Sequence, residues 1–114
     1  MNFKKNESAQ KLRGGYYTPG DLADFIAKWT CRNGTREVLE PSCGDGQFLD
    51  ALAKAGFTTQ GAITAFELDS AEAKKAKERA AQVGVTAQIY DDDFLLWALG
   101  QLDEGGKRFD AIVG

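Results

Sequence analysis

The sequence contains no histidine and only two cysteines and two prolines among its 114 residues. Without histidine, the protein cannot use the side chain that most often serves as a general acid or base, and two cysteines are too few for a structural zinc site. No run of about 18 apolar residues is present, so no membrane-spanning segment is expected. The first ten residues lack the apolar core of a signal peptide, which favours a reducing cytoplasm and free thiols.

Charge is distributed unevenly along the chain, although the net charge is only −3. Residues 1–40 carry seven basic and five acidic side chains, whereas residues 41–114 carry seven basic and twelve acidic ones. The one basic cluster comprises Lys4, Lys5, Lys11 and Arg13 near the start. We interpret it as a solvated terminal segment, and the alternative is a contact to a phosphate backbone.

Turn signals divide the chain into alternating helical and strand patterns. Thr18-Pro19-Gly20-Asp21 predicts a helix start with Thr18 as the cap, and an apolar stripe follows at helical spacing, formed by Leu22, Phe25, Ile26 and Trp29. Further helices are predicted from Gln47 to Gly56 and from Asp69 or Ser70 to Gly84, with a short apolar segment over 95–102. Strands are predicted at 37–40, 62–66, 87–90 and 109–113. This order is typical of an α/β domain over 18–114 with a parallel sheet of about four strands.

Three acidic residues each close a predicted strand: Glu40, Glu67 and Asp93. Ligands of open parallel sheets bind beyond the carboxyl ends of the strands, so these carboxylates are the first candidates for a binding site. Each of these acidic residues could also have a role that does not involve a ligand. Glu40 and Glu67 could be solvated surface acids, Asp93 could belong to a charged turn with its two preceding aspartates, and only one of those three aspartates need matter.

The loop after the first strand, Gly44-Asp45-Gly46, has Leu49 where a dinucleotide fingerprint requires a third glycine. Glu40 and Asp45 would repel a pyrophosphate but suit an ammonium or sulfonium group, which disfavours a dinucleotide-dependent oxidoreductase. S-adenosylmethionine (SAM) carries both cationic groups and an adenosine. Asp45 could instead only cap the following helix, and Cys43 fits a small residue in a tight turn better than a nucleophile.

Two further positions fit the adenosine part of SAM. Glu67 lies about 20 residues beyond the glycines, where an acid can accept hydrogen bonds from both ribose hydroxyls. Asp93 can accept from the exocyclic amine of adenine, and Phe94 beside it can pack on the ring.

With these residues identified, four motifs resemble those of the amino-methylating DNA methyltransferases. They are Leu-Arg-Gly-Gly-Tyr-Tyr-Thr-Pro (12–19), Leu-Glu-Pro-Ser-Cys-Gly-Asp-Gly-Gln-Phe-Leu (39–49), Phe-Glu-Leu-Asp (66–69) and Asp-Asp-Phe-Leu (92–95). More narrowly, the chain is similar to the DNA adenine-N6 methyltransferases of restriction-modification systems, in which the SAM-binding region precedes the target-recognition domain. The resemblance implies a Rossmann-like SAM-dependent methyltransferase fold, with residues 1–17 as a segment that closes over the methionine part of the cofactor.

The resemblance also implies a set of cofactor-binding residues and no metal. The family's Gly-Asp-Phe-Leu motif has Asp92 here in place of glycine, and we favour Asp93 over Asp92 as the contact to adenine. The implied cofactor-binding residues are Tyr17, Thr18, Pro19, Glu40, Pro41, Cys43, Gly44, Asp45, Gly46, Phe48, Glu67, Leu68, Asp93 and Phe94.

The last residues, 109–114, resemble the strand that leads into the family's Asn-Pro-Pro-aromatic motif, and the sequence stops before that motif. We therefore expect no catalytic residue in this chain, no activity from it alone, and contacts to double-stranded DNA mostly through parts outside it. We also expect the last strand to be an exposed edge that promotes dimerisation or aggregation. The alternatives are a fragment of a protein-glutamine or RNA methyltransferase, and a SAM-binding module or sensor without catalysis.

Overall fold

The computed structural model describes residues 18–57 and 61–114. The basic cluster and the predicted cofactor-closing segment, including Tyr17, lie outside the described residues. In the part that is described, no helix is both long enough and apolar enough to cross a membrane.

Four parallel strands form one sheet: β1 (Glu37–Glu40), β2 (Ala62–Phe66), β3 (Ala87–Tyr90) and β4 (Ala111–Ile112). Their order across the sheet is β3-β2-β1-β4, with Val38 opposite Ile63 and Ile63 opposite Ala87. The predicted parallel sheet is confirmed. β4 is shorter than the predicted 109–113 because only two of its residues pair in register with β1, although the Val113 amide also donates to the Leu39 carbonyl.

This strand order fixes where a ligand can bind. The chain moves outward from β1 through β2 to β3 and then returns to the opposite side of β1 as β4. The loop after β1 leads toward β2 and away from β4, and at such a reversal a crevice opens at the carboxyl ends of β1 and β4. Glu40, at the end of β1, and Gly114, just beyond β4, flank that crevice.

Four helices accompany the sheet: α1 (Gly20–Thr30), α2 (Gln47–Lys54), α3 (Ser70–Val83) and α4 (Phe94–Glu104), and a short 3-10 turn spans Arg32–Gly34. α2 packs against both α1 and α3. The main core lies between α2, α3 and one face of the sheet and includes Ile63, Ala65, Leu49, Leu52 and Phe57. As predicted, Asp69 caps α3, accepting hydrogen bonds from the amides of Ala71 and Glu72, and Gly84 ends the helix at φ 77°.

The start of α1 differs from the prediction. Pro19, not Thr18, occupies the position before the helix, its backbone is extended, and no side chain caps the end. Thr18 is therefore one residue too early for its hydroxyl to reach the first free amides. The Pro19 carbonyl accepts the first helical hydrogen bond, from the Ala23 amide at 2.9 Å.

Three of the four residues in the apolar stripe of α1 are exposed to solvent. Leu22, Phe25 and Trp29 are exposed by 48%, 69% and 66%, whereas the small residues Ala23 and Ala27 are fully buried. α1 approaches α2 closely, and small side chains on the contact line allow that approach. Periodicity therefore identified the helix but not the face on which it packs.

α4 covers the other face of the sheet through aromatic side chains. The Phe66 ring contacts those of Tyr90, Phe94 and Trp97, with centroid distances of 5.1, 5.5 and 4.9 Å, and Trp97 lies 6.2 Å from Phe109. The leucines of this helix, predicted as an apolar segment, are mostly outside this cluster and more than 60% exposed: Leu95, Leu96, Leu99 and Leu102. The aromatic cluster, rather than the leucines, holds α4 beside the crevice.

Candidate functional site

A cavity of about 590 Å³ opens at the carboxyl ends of the strands. Its volume falls within the roughly 300–1,000 Å³ that is usual for sites of small organic ligands. The loops after β1, β2 and β3, together with the first turns of α2, α3 and α4, form its wall. The lining residues are Thr18, Glu40, Pro41, Ser42, Cys43, Gly44, Gln47, Phe48, Glu67, Leu68, Asp69, Glu72, Asp92, Asp93, Phe94, Leu95 and Gly114.

The cavity wall is strongly acidic. Six carboxylate side chains contribute to it, and among residues 18–57 and 61–114 no lysine or arginine does. The six are Glu40, Glu67, Asp69, Glu72, Asp92 and Asp93. Such a wall produces a negative potential that favours a cationic ligand and opposes a phosphorylated one.

Glu40 is the most deeply buried of these acids, with 2% of its surface exposed. Its Oε2 atom is buried and has no hydrogen-bond partner within the described parts of the chain. Burial, and secondarily the nearby charge of Glu67, raises the pKa of Glu40 to about 8. Glu40 is therefore mostly neutral at pH 7, and a bound cation would favour its ionised form.

Glu67 connects two loops of the site. Its Oε1 accepts a hydrogen bond from the Gly44 amide at 2.9 Å, and its Oε2 accepts one from the Asp69 amide at 2.8 Å. The residue thereby fixes the loop after β1 relative to the loop after β2. Each carboxylate oxygen has a second lone pair, so Glu67 retains the capacity to accept further hydrogen bonds from a ligand.

The glycine loop is held in position by the backbone. The Cys43 amide donates to the Phe66 carbonyl at 2.8 Å, which attaches the loop to the end of β2. Gly46 has φ 96°, and a Cβ there would lie 3.2 Å from the Ala76 Cα on α3. Gly46 therefore permits both a left-handed backbone and close packing of the loop against α3.

Cys43 is buried in this loop, with its Sγ 3.7 Å from the Gly44 carbonyl oxygen. Burial, followed by the charges of Glu40 and Glu67, raises the pKa of the Cys43 thiol far above its usual value. A thiol that stays protonated is a poor nucleophile, which agrees with the structural role expected from the sequence.

Asp92 and Asp93 both reach the cavity from the loop between β3 and α4. Asp93 caps α4 by accepting a hydrogen bond from the Leu95 amide at 2.9 Å, while Asp92 accepts one from the Asp93 amide at 2.8 Å. Each of the two carboxylates therefore has one backbone amide as a partner. The choice of Asp93 over Asp92 as the adenine contact stays a prediction.

Ten of the fourteen predicted cofactor-binding residues line this one cavity, and Tyr17 lies outside the described residues. Pro19, Asp45 and Gly46 are not part of the wall. Asp45 turns away, toward a smaller cavity of about 290 Å³, and its Oδ2 lies 3.5 Å from the Arg79 Nη2. The ten residues in the wall are Thr18, Glu40, Pro41, Cys43, Gly44, Phe48, Glu67, Leu68, Asp93 and Phe94.

Sequence reasoning missed several wall residues, of which Glu72 is the most informative. Its side chain is buried, with 7% exposed, and its Oε1 lies 3.4 Å from the Lys75 Nζ. Glu72 is three residues after the capping Asp69, and this spacing, which places both on one side of the helix, could have revealed it. The other unpredicted wall residues are Ser42, Gln47, Asp69, Leu95 and Gly114.

The sequence is similar to Type II methyltransferases, although no protein-family model matches it. M.BanIII from Aneurinibacillus aneurinilyticus is 35% identical over 99 residues, which cover 75% of this chain and 17% of that enzyme. The chain spans only 12% to 27% of the length of such relatives. The resemblance inferred from the motifs is thus confirmed in sequence over most of the chain.

Solved structures with the same fold include several methyltransferases and a modification subunit of a restriction enzyme. A Vibrio vulnificus protein assigned as the modification subunit of a type I restriction enzyme aligns with a TM-score of 0.65 and 20% identity, covering 96% of this chain and 25% of that one. An RNA methyltransferase from Salinibacter ruber, solved with S-adenosyl-L-homocysteine, aligns with a TM-score of 0.56 and 22% identity over 70% of this chain and 52% of that one. The predicted Rossmann-like fold of the SAM-dependent methyltransferases is confirmed.

Proposed function

We propose that this chain is the SAM-binding part of a DNA adenine-N6 methyltransferase. It has the fold of SAM-dependent methyltransferases and is related in sequence to Type II methyltransferases. The observation that carries this proposal is the buried Glu40 carboxyl, which lacks a hydrogen-bond partner and forms part of an acidic cavity at the sheet reversal. SAM has a net positive charge, a size suited to 590 Å³, and an ammonium group that can pair with such a carboxylate.

The cavity residues suit the separate parts of SAM. Glu40 and the loop 41–46 would hold the amino-acid part, with Thr18 beside it. Glu67 would accept hydrogen bonds from the ribose hydroxyls, as acids at this position of Rossmann-like folds do. Asp93 would accept from the adenine amine, and Leu68 and Phe94 would pack on the ring.

When bound, SAM supplies an activated methyl group on a sulfonium. In this proposal the described residues bind and orient it and exclude water, which lowers the barrier by alignment of the reactants. No described cavity residue is assigned a role in orienting the acceptor amine, so the chain by itself is proposed to bind the cofactor without transferring its methyl group.

A DNA substrate is favoured over RNA by the four motifs and by the likeness to a restriction-modification subunit. The RNA methyltransferase among the structural neighbours supports the alternative of an RNA substrate. Incubation of the chain with tritiated SAM and either duplex DNA or RNA tests whether the chain transfers the methyl group by itself and, if it does, to which nucleic acid. We expect no label in either nucleic acid. Label in RNA would contradict the proposal, and label in DNA would contradict only the claim that the chain is inactive alone.

Calorimetric titration of SAM into residues 1–114 tests the binding proposal, after a circular dichroism melt has shown that the chain is folded. We expect one site per chain, and at least a tenfold loss of affinity in Asp93→Asn, which keeps the helix cap but presents an amide to the adenine amine. Asp24→Asn, a charge removal on α1 outside the main cavity, is the matched control. A folded wild-type chain without SAM binding would refute the proposal.

A further inference from the structure

The sequence of β4 does not by itself determine how this strand pairs with β1. Only Ala111 and Ile112 pair in register. A slip of one residue would turn every side chain to the other face of the sheet, and apolar alternation normally opposes such a slip. In β4, however, a slip would only exchange two β-branched apolar side chains: Ile112, which is 68% exposed, and Val113, which is 7% exposed and packs in the main core. The apolar pattern therefore does not select the observed register.

Asp110, the residue before β4, makes contacts that depend on the register. Its Oδ2 accepts hydrogen bonds from the amides of Arg36 and Glu37, at 3.0 and 2.9 Å, where β1 begins. Its own amide donates to the Glu37 carbonyl at 2.8 Å. The bond from the Glu37 amide, and then the one from Arg36, lowers the pKa of Asp110, so the carboxylate accepts both bonds in its charged form.

A slip of β4 in either direction would break these side-chain hydrogen bonds. The backbone groups of a parallel strand can pair with β1 again after a shift of one residue, because their spacing is regular. The place of Asp110 would then be taken by Phe109 or Ala111, and neither of these side chains can accept a hydrogen bond. The two amides at the start of β1 would therefore lose their acceptor. Asp110 thus opposes the slipped registers that the apolar pattern tolerates.

The register of β4 also determines what lies at its other end, at the cavity. The Val113 amide donates to the Leu39 carbonyl at 2.9 Å, and the next residue, Gly114, forms part of the cavity wall. A Cβ on Gly114 would lie 3.9 Å from the Pro41 Cδ in the loop after β1. A slip of one residue moves the backbone by about 3.3 Å along the strand. Gly114 would then lose its place beside this loop.

We propose that Asp110 is a positioning residue for the cavity: its carboxylate sets the register of β4 on β1 and thereby holds Gly114 in the wall. Asp110 acts only through the strand, since its hydrogen bonds lie at the amino end of β1 and the cavity lies at the carboxyl end. The register does not depend on which ligand the cavity binds. The competing explanation is that the Phe109 ring, 6.2 Å from that of Trp97, suffices to fix the strand.

NMR spectroscopy of residues 1–114 tests this proposal through nuclear Overhauser contacts between β4 and β1. The wild type should show the observed register, with Ala111 opposite Val38. Asp110 is exposed, so Asp110→Ala should still fold, but these contacts should lose most of their intensity and new ones should appear one residue away. Asp110→Asn keeps an acceptor oxygen and should retain the wild-type contacts. Asp24→Asn, which removes a negative charge from α1, is the matched control and should also retain them.

A double variant separates the register from the stability of the fold. In Asp110→Ala combined with Ile112→Thr, a slip in either direction would turn the threonine hydroxyl toward the apolar core, which is unfavourable. The wild-type contacts between β4 and β1 should therefore return, although the hydrogen bonds of Asp110 are still missing. A residue that only stabilised the fold would not be replaced in this way by a polar side chain two positions later.

Wild-type contacts in a folded Asp110→Ala would overturn the proposal and would assign the register to the packing of Phe109. A slipped strand that Ile112→Thr does not return would overturn it as well. Addition of SAM gives a further readout, which alone rests on the proposed function. SAM should shift the Gly114 amide resonance in the wild type but not in a slipped Asp110→Ala, and equal shifts would overturn the role at the cavity. No SAM-induced shift at any residue of the folded wild type would refute the proposed function and leave the register result standing.

Discussion

Glu67 at the end of β2 accepts a hydrogen bond from the Gly44 amide at 2.9 Å, so the acid proposed to hold the ribose also fixes the glycine loop after β1. Its second oxygen accepts from the Asp69 amide, just before α3. One side chain thus joins the loops that form two sides of the cavity. A change at this residue must affect both the order of the loops and the binding of a ligand.

We therefore predict two effects of Glu67→Ala. Two backbone amides lose their acceptor, which should lower the free energy of unfolding by about 1–3 kcal/mol, and SAM affinity should fall more than tenfold. Urea denaturation measures the first effect and calorimetry the second. Glu67→Gln, which retains one acceptor oxygen, should lie between wild type and alanine in stability. Unchanged stability in the alanine variant would show that the loop contacts contribute little.

The raised pKa of Glu40 predicts how the free energy of unfolding depends on pH. Its pKa is raised from 4.5 to about 8 in the folded protein, so the folded state prefers the protonated form. This contribution to stability is complete below about pH 4.5 and is lost progressively as the pH rises through about 8. At pH 9 the buried Glu40 is ionised and destabilises the fold, so Glu40→Gln should stabilise the ligand-free protein there by up to about 5 kcal/mol.

The comparison between wild type and Glu40→Gln should be made by urea denaturation at pH 4.5, 7 and 9. The difference in unfolding free energy should be small at pH 4.5 and largest at pH 9. A difference that is independent of pH would mean that Glu40 titrates normally in the fold.

Gly61 precedes β2, and its backbone lies very close to that of Arg36, the residue before β1. A Cβ on Gly61 would lie 1.8 Å from the Arg36 carbonyl oxygen, the atom that accepts the Ala62 amide's hydrogen bond. Gly61→Ala should therefore destabilise the protein by at least about 2 kcal/mol, because the backbone must move apart.

Gly100 provides the matched control. It lies within α4, and a Cβ there would meet no atom within 4 Å. Gly100→Ala should be neutral or stabilise the protein by up to about 1 kcal/mol, since alanine favours the helix. Thermal melts of both variants measure the contrast, and equal melting temperatures would contradict the close approach at Gly61.

β4 is the edge strand next to β1, and its Ile112 side chain is 68% exposed. Exposed apolar edges pair readily with other chains. We predict concentration-dependent self-association, measured by light scattering, and its reduction in Ile112→Lys. A monodisperse wild-type monomer at high concentration would contradict this prediction.

Much of the sheet could be predicted because its signals are local. Short apolar runs located β1, β2 and β3, and the side chain of Asp69 and the left-handed Gly84 marked the ends of α3. The acids at the strand ends were found for the same reason: in a parallel sheet, a position just after a strand lies at the ligand-binding edge.

The features that were missed depend on contacts between distant segments. The buried face of α1 is decided by its close approach to α2, which selects Ala23 and Ala27 over Phe25 and Trp29. The orientation of Asp45 depends on Arg79, which comes from a helix 34 positions later and forms the ion pair at 3.5 Å. Neither contact leaves a periodic or compositional signal in the sequence near the residue it affects.

The most direct test of the account is a crystal structure of the chain with SAM bound. The account predicts the ligand's ammonium within hydrogen-bond distance of the Glu40 carboxylate, its ribose hydroxyls at Glu67 and its adenine amine at Asp93. Density for SAM elsewhere on the molecule, or a SAM molecule whose ammonium points away from Glu40, would contradict it.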